Sequence, residues 1–125
     1  MQLSLDQPRH DYTLRNADGA SAVVNDRRLS SSFVLAPDRL IEEWPATDSK
    51  LLEPGHLEPL MALSPEVILL GTGSRQVFPS AAVMASCLSR GIGLEVMTNA
   101  AAARTFNVLA AEERRVVAGF ILGDA

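Results

Sequence analysis

The pattern of apolar and polar positions changes in character near residue 50. Before that point, short apolar runs are separated by turn-forming residues. These runs lie at residues 11–16, 20–25, 28–35 and 39–44. Asp18-Gly19 and Asn25-Asp26 supply residues that tolerate the positive φ of tight hairpins. We therefore predict antiparallel strands here, with Trp44 packed against the core.

The second half of the chain alternates strands with helices. Nearly continuous apolar runs at 66–70, 94–97 and 116–122 are typical of strands buried on both faces. Between these runs, apolar residues recur at helical spacing, which predicts helices at 80–90 and 99–111. A further short helix is predicted at residues 56–63.

The helix predicted at 80–90 carries an apolar stripe at helical spacing, formed by Ala81, Met84, Ala85 and Leu88. We expect this stripe to face the core. Gly91 is a usual helix stop, and Asn99 is the expected N-cap of the next helix.

Together these elements predict an α/β fold. We expect a three-layer single domain with a central mixed β-sheet, in which N-terminal antiparallel strands are followed by β-α-β-α-β. The domain spans residues 1–125, with 1–9 as a flexible N-terminal segment.

Composition narrows the function classes. The chain is 47% hydrophobic and 21% charged, with a formal net charge of −4. A nucleic-acid binder would show a basic face, so we expect no nucleic-acid partner. No apolar run reaches the ~20 residues of a membrane helix, which still permits peripheral association with a membrane complex. The first residues lack the pattern of a secretory signal, so we expect a cytoplasmic protein.

The loop after the strand at 66–70 is the first candidate site. Its residues are Gly71, Thr72, Gly73, Ser74, Arg75 and Gln76. It is neither a P-loop nor a dinucleotide fingerprint, because no Gly-Lys-Ser/Thr follows and position 76 is not glycine. The glycines and Arg75 fit contact with a partner or an anion. They equally fit a tight strand-to-helix turn.

A second polar cluster follows the strand at 94–97. Its members are Thr98, Asn99, Arg104, Thr105 and Asn107. If the two strands are parallel, both clusters lie at one end of the sheet, where ligands bind in such folds. The alternative is that these side chains cap helices and bond neighbouring loops.

Catalytic chemistry has little support in the sequence. His10 and His56 have no companion ligand at helical spacing, and Ser74 has no evident base. The single cysteine, Cys87, is expected to be a small buried hydrophobe. We predict no catalytic residue, no metal and no cofactor; whether the chain is an enzyme stays open, and the residues favour that it is not.

Three blocks carry a family resemblance: Ile68–Pro79, Arg90–Met97 and Arg104–Leu109, the last followed by Glu112-Glu113-Arg114-Arg115. In order and spacing they resemble bacterial proteins of unknown function related to mitochondrial complex I assembly factor 3. The resemblance covers roughly residues 10–123. This chain differs from the family at Phe106, where the family often has a tyrosine.

The resemblance implies a three-layer α/β fold and a non-catalytic role. For the mitochondrial relatives it implies help with the assembly of respiratory complex I through protein contacts. We therefore expect an interaction or assembly-factor-like domain with a protein partner at the two polar clusters. The alternative is a binder of a small anionic or nucleotide-like ligand at the same edge. The sequence leaves the oligomeric state open.

Overall fold

A computed structural model describes residues 11–123. The predicted flexible segment 1–9 and His10 lie outside the described residues. The strands are β1 (Leu14–Ala17), β2 (Ala22–Val24), β3 (Arg27–Leu29), β4 (Phe33–Ala36), β5 (Arg39–Ile41), β6 (Val67–Gly71), β7 (Gly93–Met97) and β8 (Val116–Phe120). The α-helices are α1 (Glu58–Met61), α2 (Ala81–Leu88) and α3 (Asn99–Ala111), and 3-10 turns occupy Ser49–Leu51 and Pro54–Leu57.

The first three strands form a small antiparallel sheet in the order β1-β2-β3. The β2–β3 turn contains Asn25 at φ 54°, a conformation that asparagine tolerates better than most residues. The register of β1 against β2 shifts between Leu14 and Asn16, so the pairing is irregular there. The predicted hairpins are therefore present.

The other five strands form a mixed sheet in the order β5-β4-β8-β6-β7. β6 pairs in parallel with both β7 and β8, whereas β4 pairs antiparallel with β8 and β5. β8, the last strand within residues 11–123, thus lies in the middle of the sheet. All five of its residues are buried, as its apolar sequence requires. The predicted mixed α/β fold is confirmed.

Each face of the five-stranded sheet has its own covering. α3 and the three-stranded sheet pack on one face around Phe106, Phe33 and Phe120. The last two rings stack with centroids 4.9 Å apart. On the other face lie α1, α2 and the predicted core residue Trp44. A Cβ on Gly119 would come within 2.7 Å of the Trp44 ring, so only glycine fits there.

Several predicted boundaries were wrong. The run 28–35 is two strands in different sheets, because the chain leaves the small sheet at its serines. Ser32 donates a hydrogen bond to Ala46 O (2.7 Å) and accepts one from Leu122 N (3.0 Å). The run 39–44 is a strand only to Ile41. The helix predicted at 56–63 is split into a 3-10 turn and the single turn of α1.

Candidate functional site

The two polar clusters meet at one end of the five-stranded sheet. Thr72 N donates to Met97 O at 3.0 Å, and Asn99 N donates to Gly73 O at 2.9 Å. These bonds extend the parallel β6–β7 ladder into the loops that follow each strand. The two loops are therefore side by side, as the sequence predicts for parallel strands. Their role in binding stays a prediction.

Most of the polar groups in the loop 71–76 bond the protein's own backbone. The Thr72 hydroxyl donates to Arg75 O (2.6 Å) and accepts from Val77 N (3.0 Å). Gln76 Nε2 donates to Val96 O at 2.9 Å. Gly73 adopts φ 100°, which favours glycine. These contacts describe a tight strand-to-helix turn in which Ser74 and Arg75 are exposed.

Asn99 joins the two sheets. It is fully buried, and its Nδ2 donates to Asp18 O and Ile121 O, both at 2.9 Å. Its Oδ1 has no hydrogen-bond partner among the described residues and faces Gly71, where a Cβ would collide with it. We predicted Asn99 as the N-cap, and this was wrong: Thr98 caps α3 by accepting from Ala101 N.

The turn that Asn99 holds is itself ordered by a carboxylate. Asp18 accepts hydrogen bonds from Ser21 N and Ala20 N, both at 2.8 Å. These two bonds, in that order of importance, lower the pKa of Asp18 below its usual value. Gly123 N then bonds Gly19 O at 2.8 Å, which ties the end of the described chain to the same turn.

The remaining members of the second cluster lie along α3. Asn107 bonds both backbone groups of Leu14, accepting from N (2.9 Å) and donating to O (2.7 Å), as a neighbouring strand would. Thr105 is partly buried and has no side-chain hydrogen bond within residues 11–123. Arg104 is exposed and lines a cleft of about 300 Å³ between α3 and β1. The predicted capping and loop-bonding alternative therefore accounts for Asn107.

The two candidate arginines do not share a cleft. Arg75 lines a different one, of about 150 Å³, formed with Thr72 and the loop that precedes the first 3-10 turn. That loop contributes Asp48, whose carboxylate accepts from Lys50 N, and the turn itself contributes Ser49, whose hydroxyl donates to Val77 O. An anion binder at this edge would use one concave site lined by both arginines. In the structure, Arg75 and Arg104 line separate clefts.

Sequence reasoning missed the surface around α2. The stripe Ala81, Met84, Ala85 and Leu88, which we expected to face the core, is largely exposed: Leu88 is 77% exposed, and only Met84 is partly buried and packs against the core. The buried residues of α2 are Val83 and Cys87 instead. With Leu94 of β7, the stripe lines an apolar groove of about 440 Å³. The only indication of this in the sequence was a second apolar pair at helical spacing, Val83 and Cys87, which could equally form the buried face.

The cysteine and the described histidine have structural surroundings, and the described residues group no metal ligands. Cys87 is buried as predicted, and burial raises the pKa of its thiol, which keeps it protonated. His56 Nδ1 accepts a hydrogen bond from Glu53 N at 2.9 Å, within a capping arrangement. Within residues 11–123 no three His, Cys, Asp or Glu side chains are grouped to hold a metal.

No helix in the described range 11–123 has the length and apolar character needed to cross a membrane.

Comparison with known proteins identifies related chains. A family model described as a protein of unknown function (DUF498/DUF598) matches residues 15–121. A relative from Francisella tularensis, named 13 kDa major membrane protein, is 26% identical over 95 residues, which cover 75% of this chain and 77% of the relative.

Solved structures share the fold at high coverage. The protein XCC1710 of Xanthomonas campestris is 56% identical with a TM-score of 0.84, over 98% of this chain and 93% of that one. A Bordetella pertussis protein described as a Mth938-like domain is 30% identical with a TM-score of 0.78, over 100% of this chain and 95% of that one.

Proposed function

This chain belongs to the DUF498/DUF598 family of proteins of unknown function, and we propose that it is a non-catalytic protein-interaction domain. The observation that carries the proposal is the apolar face of α2. Three exposed apolar residues of the helix, Ala81, Ala85 and Leu88, line an open groove with the partly buried Met84 and Leu94. Contiguous apolar surface of this kind marks sites where proteins meet.

The position of the interaction surface differs from the one expected at the polar loops. The Thr72 hydroxyl and the amide nitrogens of Gln76 and Asn99 donate their hydrogen bonds to the protein's own backbone, so these donors are occupied. The groove beside α2 has no charged residue in its lining. Interfaces bury apolar side chains at their centre and exclude charge there. We therefore place the partner on α2 and β7.

The finer proposal concerns the kind of partner. We propose a subunit of a membrane complex under assembly, with respiratory complexes as the first candidates. The support is the resemblance of the sequence blocks to relatives of a complex I assembly factor. The name of the Francisella relative, which places that protein at a membrane, agrees with this.

A second candidate function is binding of a small anion at Arg75. One observation favours it: Arg75 lines a cleft and has no ion pair among the described residues. Asp48 lines the same cleft and opposes an anion. The cleft is also small, at about 150 Å³. For these reasons we rank the interaction role first.

Capture of partners with a matched pair of variants tests the interaction role. Leu88→Glu adds a charge to the groove, whereas Val108→Glu adds the same charge to an exposed position on α3. Both sites lie near a helix C-terminus, so the helix dipole disfavours both carboxylates alike. We expect proteins captured from a bacterial lysate by the wild type and by Val108→Glu to be depleted about tenfold or more with Leu88→Glu, as measured by quantitative mass spectrometry.

Equal capture by all three proteins would contradict the role of the α2 face. Respiratory subunits among the depleted proteins would support the finer proposal, and their absence among them would refute it.

A further inference from the structure

The free edge of β7 presents unpaired backbone groups. Among residues 11–123, β7 is the edge strand of its sheet and pairs only with β6. Met97 O accepts from Thr72 N, so Met97 directs its backbone groups toward β6. Backbone groups alternate in direction along a strand, which turns those of Leu94 and Val96 outward.

One of these four outward groups is already bonded. Val96 O accepts from Gln76 Nε2 at 2.9 Å. Within residues 11–123, no hydrogen bond engages the Leu94 N–H, the Leu94 C=O or the Val96 N–H on that side. Open strand edges of this kind are templates for pairing with another strand. Gln76 therefore marks one end of the stretch that remains open.

The apolar groove lies over the same edge. Leu94 and Val96 pack with the residues of the α2 side of the sheet, and Leu94 also lines the groove. A strand added beside β7 would point every second side chain to that side, because side chains alternate between faces. Those side chains would enter the groove under Met84 and Leu88.

The opposite face of β7 determines the charge of the added strand. Glu95 is exposed, lies on the other side of the strand from Leu94, and has no ion pair among the described residues. Opposite charges on neighbouring strands attract and like charges repel. A second copy of this chain, paired antiparallel through both Leu94 and Val96, would set Glu95 against the Glu95 of that copy. The charge therefore favours a different, basic segment.

We propose that β7 and α2 form a receptor for an extended segment of a partner protein, which pairs with β7 as a sixth strand. The segment carries apolar residues at every second position, facing α2, and a lysine or arginine beside Glu95. This inference rests on the proposed function and names the binding mode for it. Strand addition of this type draws affinity from the backbone and specificity from alternate side chains.

Two synthetic peptides test the inference on the 15N-labelled protein. In one capped hexapeptide valine alternates with lysine, and in the other valine alternates with glutamate. We expect the lysine peptide to shift the amide resonances of Leu94 and Val96 and to slow hydrogen exchange at Leu94. We expect it to bind up to about fivefold more tightly than the glutamate peptide, as for an exposed charge pair.

Charge reversal provides the matched control. Glu95→Lys should reverse the preference between the peptides. Glu112→Lys, an equal change at an exposed residue beyond α3, should leave the preference unchanged. Absence of shifts at Leu94 and Val96 with both peptides would overturn the proposal. So would a preference that Glu95→Lys leaves unaltered, or β7 shifts that follow protein concentration alone, which would indicate a second copy.

The two proposals fail in different ways. If Leu88→Glu abolishes partner capture but neither peptide affects β7, strand addition is wrong and the interaction role stands. If capture is independent of Leu88 and neither peptide binds, both are wrong.

Discussion

α2 and α3 cover opposite faces of the same sheet in contrasting ways. α3 buries Phe106 completely, together with small residues and Asn99, against both sheets. α2 is shorter and buries only Val83 and Cys87. Of its two large apolar residues, Met84 is partly buried and Leu88 is 77% exposed. The comparison shows that α3 is packed into the fold, whereas one face of the apolar helix α2 is largely exposed.

The two helices also differ in how their side chains contact the rest of the protein. Asn99 and Asn107 of α3 bond backbone groups of distant segments, so their polarity holds the fold together. On α2 no charged side chain occurs, and the groove beside it is apolar. Polar residues at a sheet end suggest a site by position. Here several of these side chains bond the protein's own backbone, whereas the apolar face of α2 is largely exposed.

The largest expected difference between the helices is in stability. Phe106→Ala empties a fully buried site and should lower the free energy of unfolding by about 3–5 kcal/mol. Leu88→Ala removes an exposed side chain and should change it by no more than about 0.5 kcal/mol. Denaturant unfolding of both variants measures the contrast. Similar losses in the two variants would mean that α2 is packed as tightly as α3.

A smaller effect concerns the close approach of Asn99 to Gly71. Gly71→Ala places a methyl group against Asn99 Oδ1 and should destabilise the fold by about 1–3 kcal/mol. Asn99→Ala leaves Asp18 O and Ile121 O without their donor, at a similar cost. Because the second change removes the atom that the first one strikes, the double variant should lose less than the sum.

Chemical unfolding of the two single variants and the double variant measures this coupling. Additive losses would show that Oδ1 and Gly71 are not in contact. The Phe120 ring, at 3.1 Å from the same Cβ position, sets a residual cost that the double variant keeps.

Much of the fold could be predicted from the pattern along the chain. The apolar runs of β6, β7 and β8 are long enough to identify buried strands, and the crossover lengths favour parallel pairing of β6 with β7. The juxtaposition of Gly73 with Asn99 follows from that pairing. What was not predictable is the break at Ser30–Ser32, because three serines interrupt an apolar run without a proline or glycine.

The spacing of apolar residues could not predict which face of α2 is buried. Its sequence, Ala-Ala-Val-Met-Ala-Ser-Cys-Leu, is apolar on nearly every side, so two stripes fit helical spacing equally well. Packing into the core cluster on this side of the sheet selects Val83 and Cys87. The hydrogen-bond partners of the candidate site residues were not predictable for a related reason: residue types identify polar groups, whereas their partners come from segments far away in the chain. Asn99, for example, bonds Asp18, 81 residues earlier.

Hydrogen exchange at β7 in the isolated protein tests the central claim that this edge is open. The amides of Glu95 and Met97 face β6 and should exchange at least about a hundredfold more slowly than those of Leu94 and Val96, which face outward. Amide exchange followed by NMR on the free protein gives all four rates in one experiment. Equal protection of the four amides would show that another segment already covers the edge, and would contradict the account.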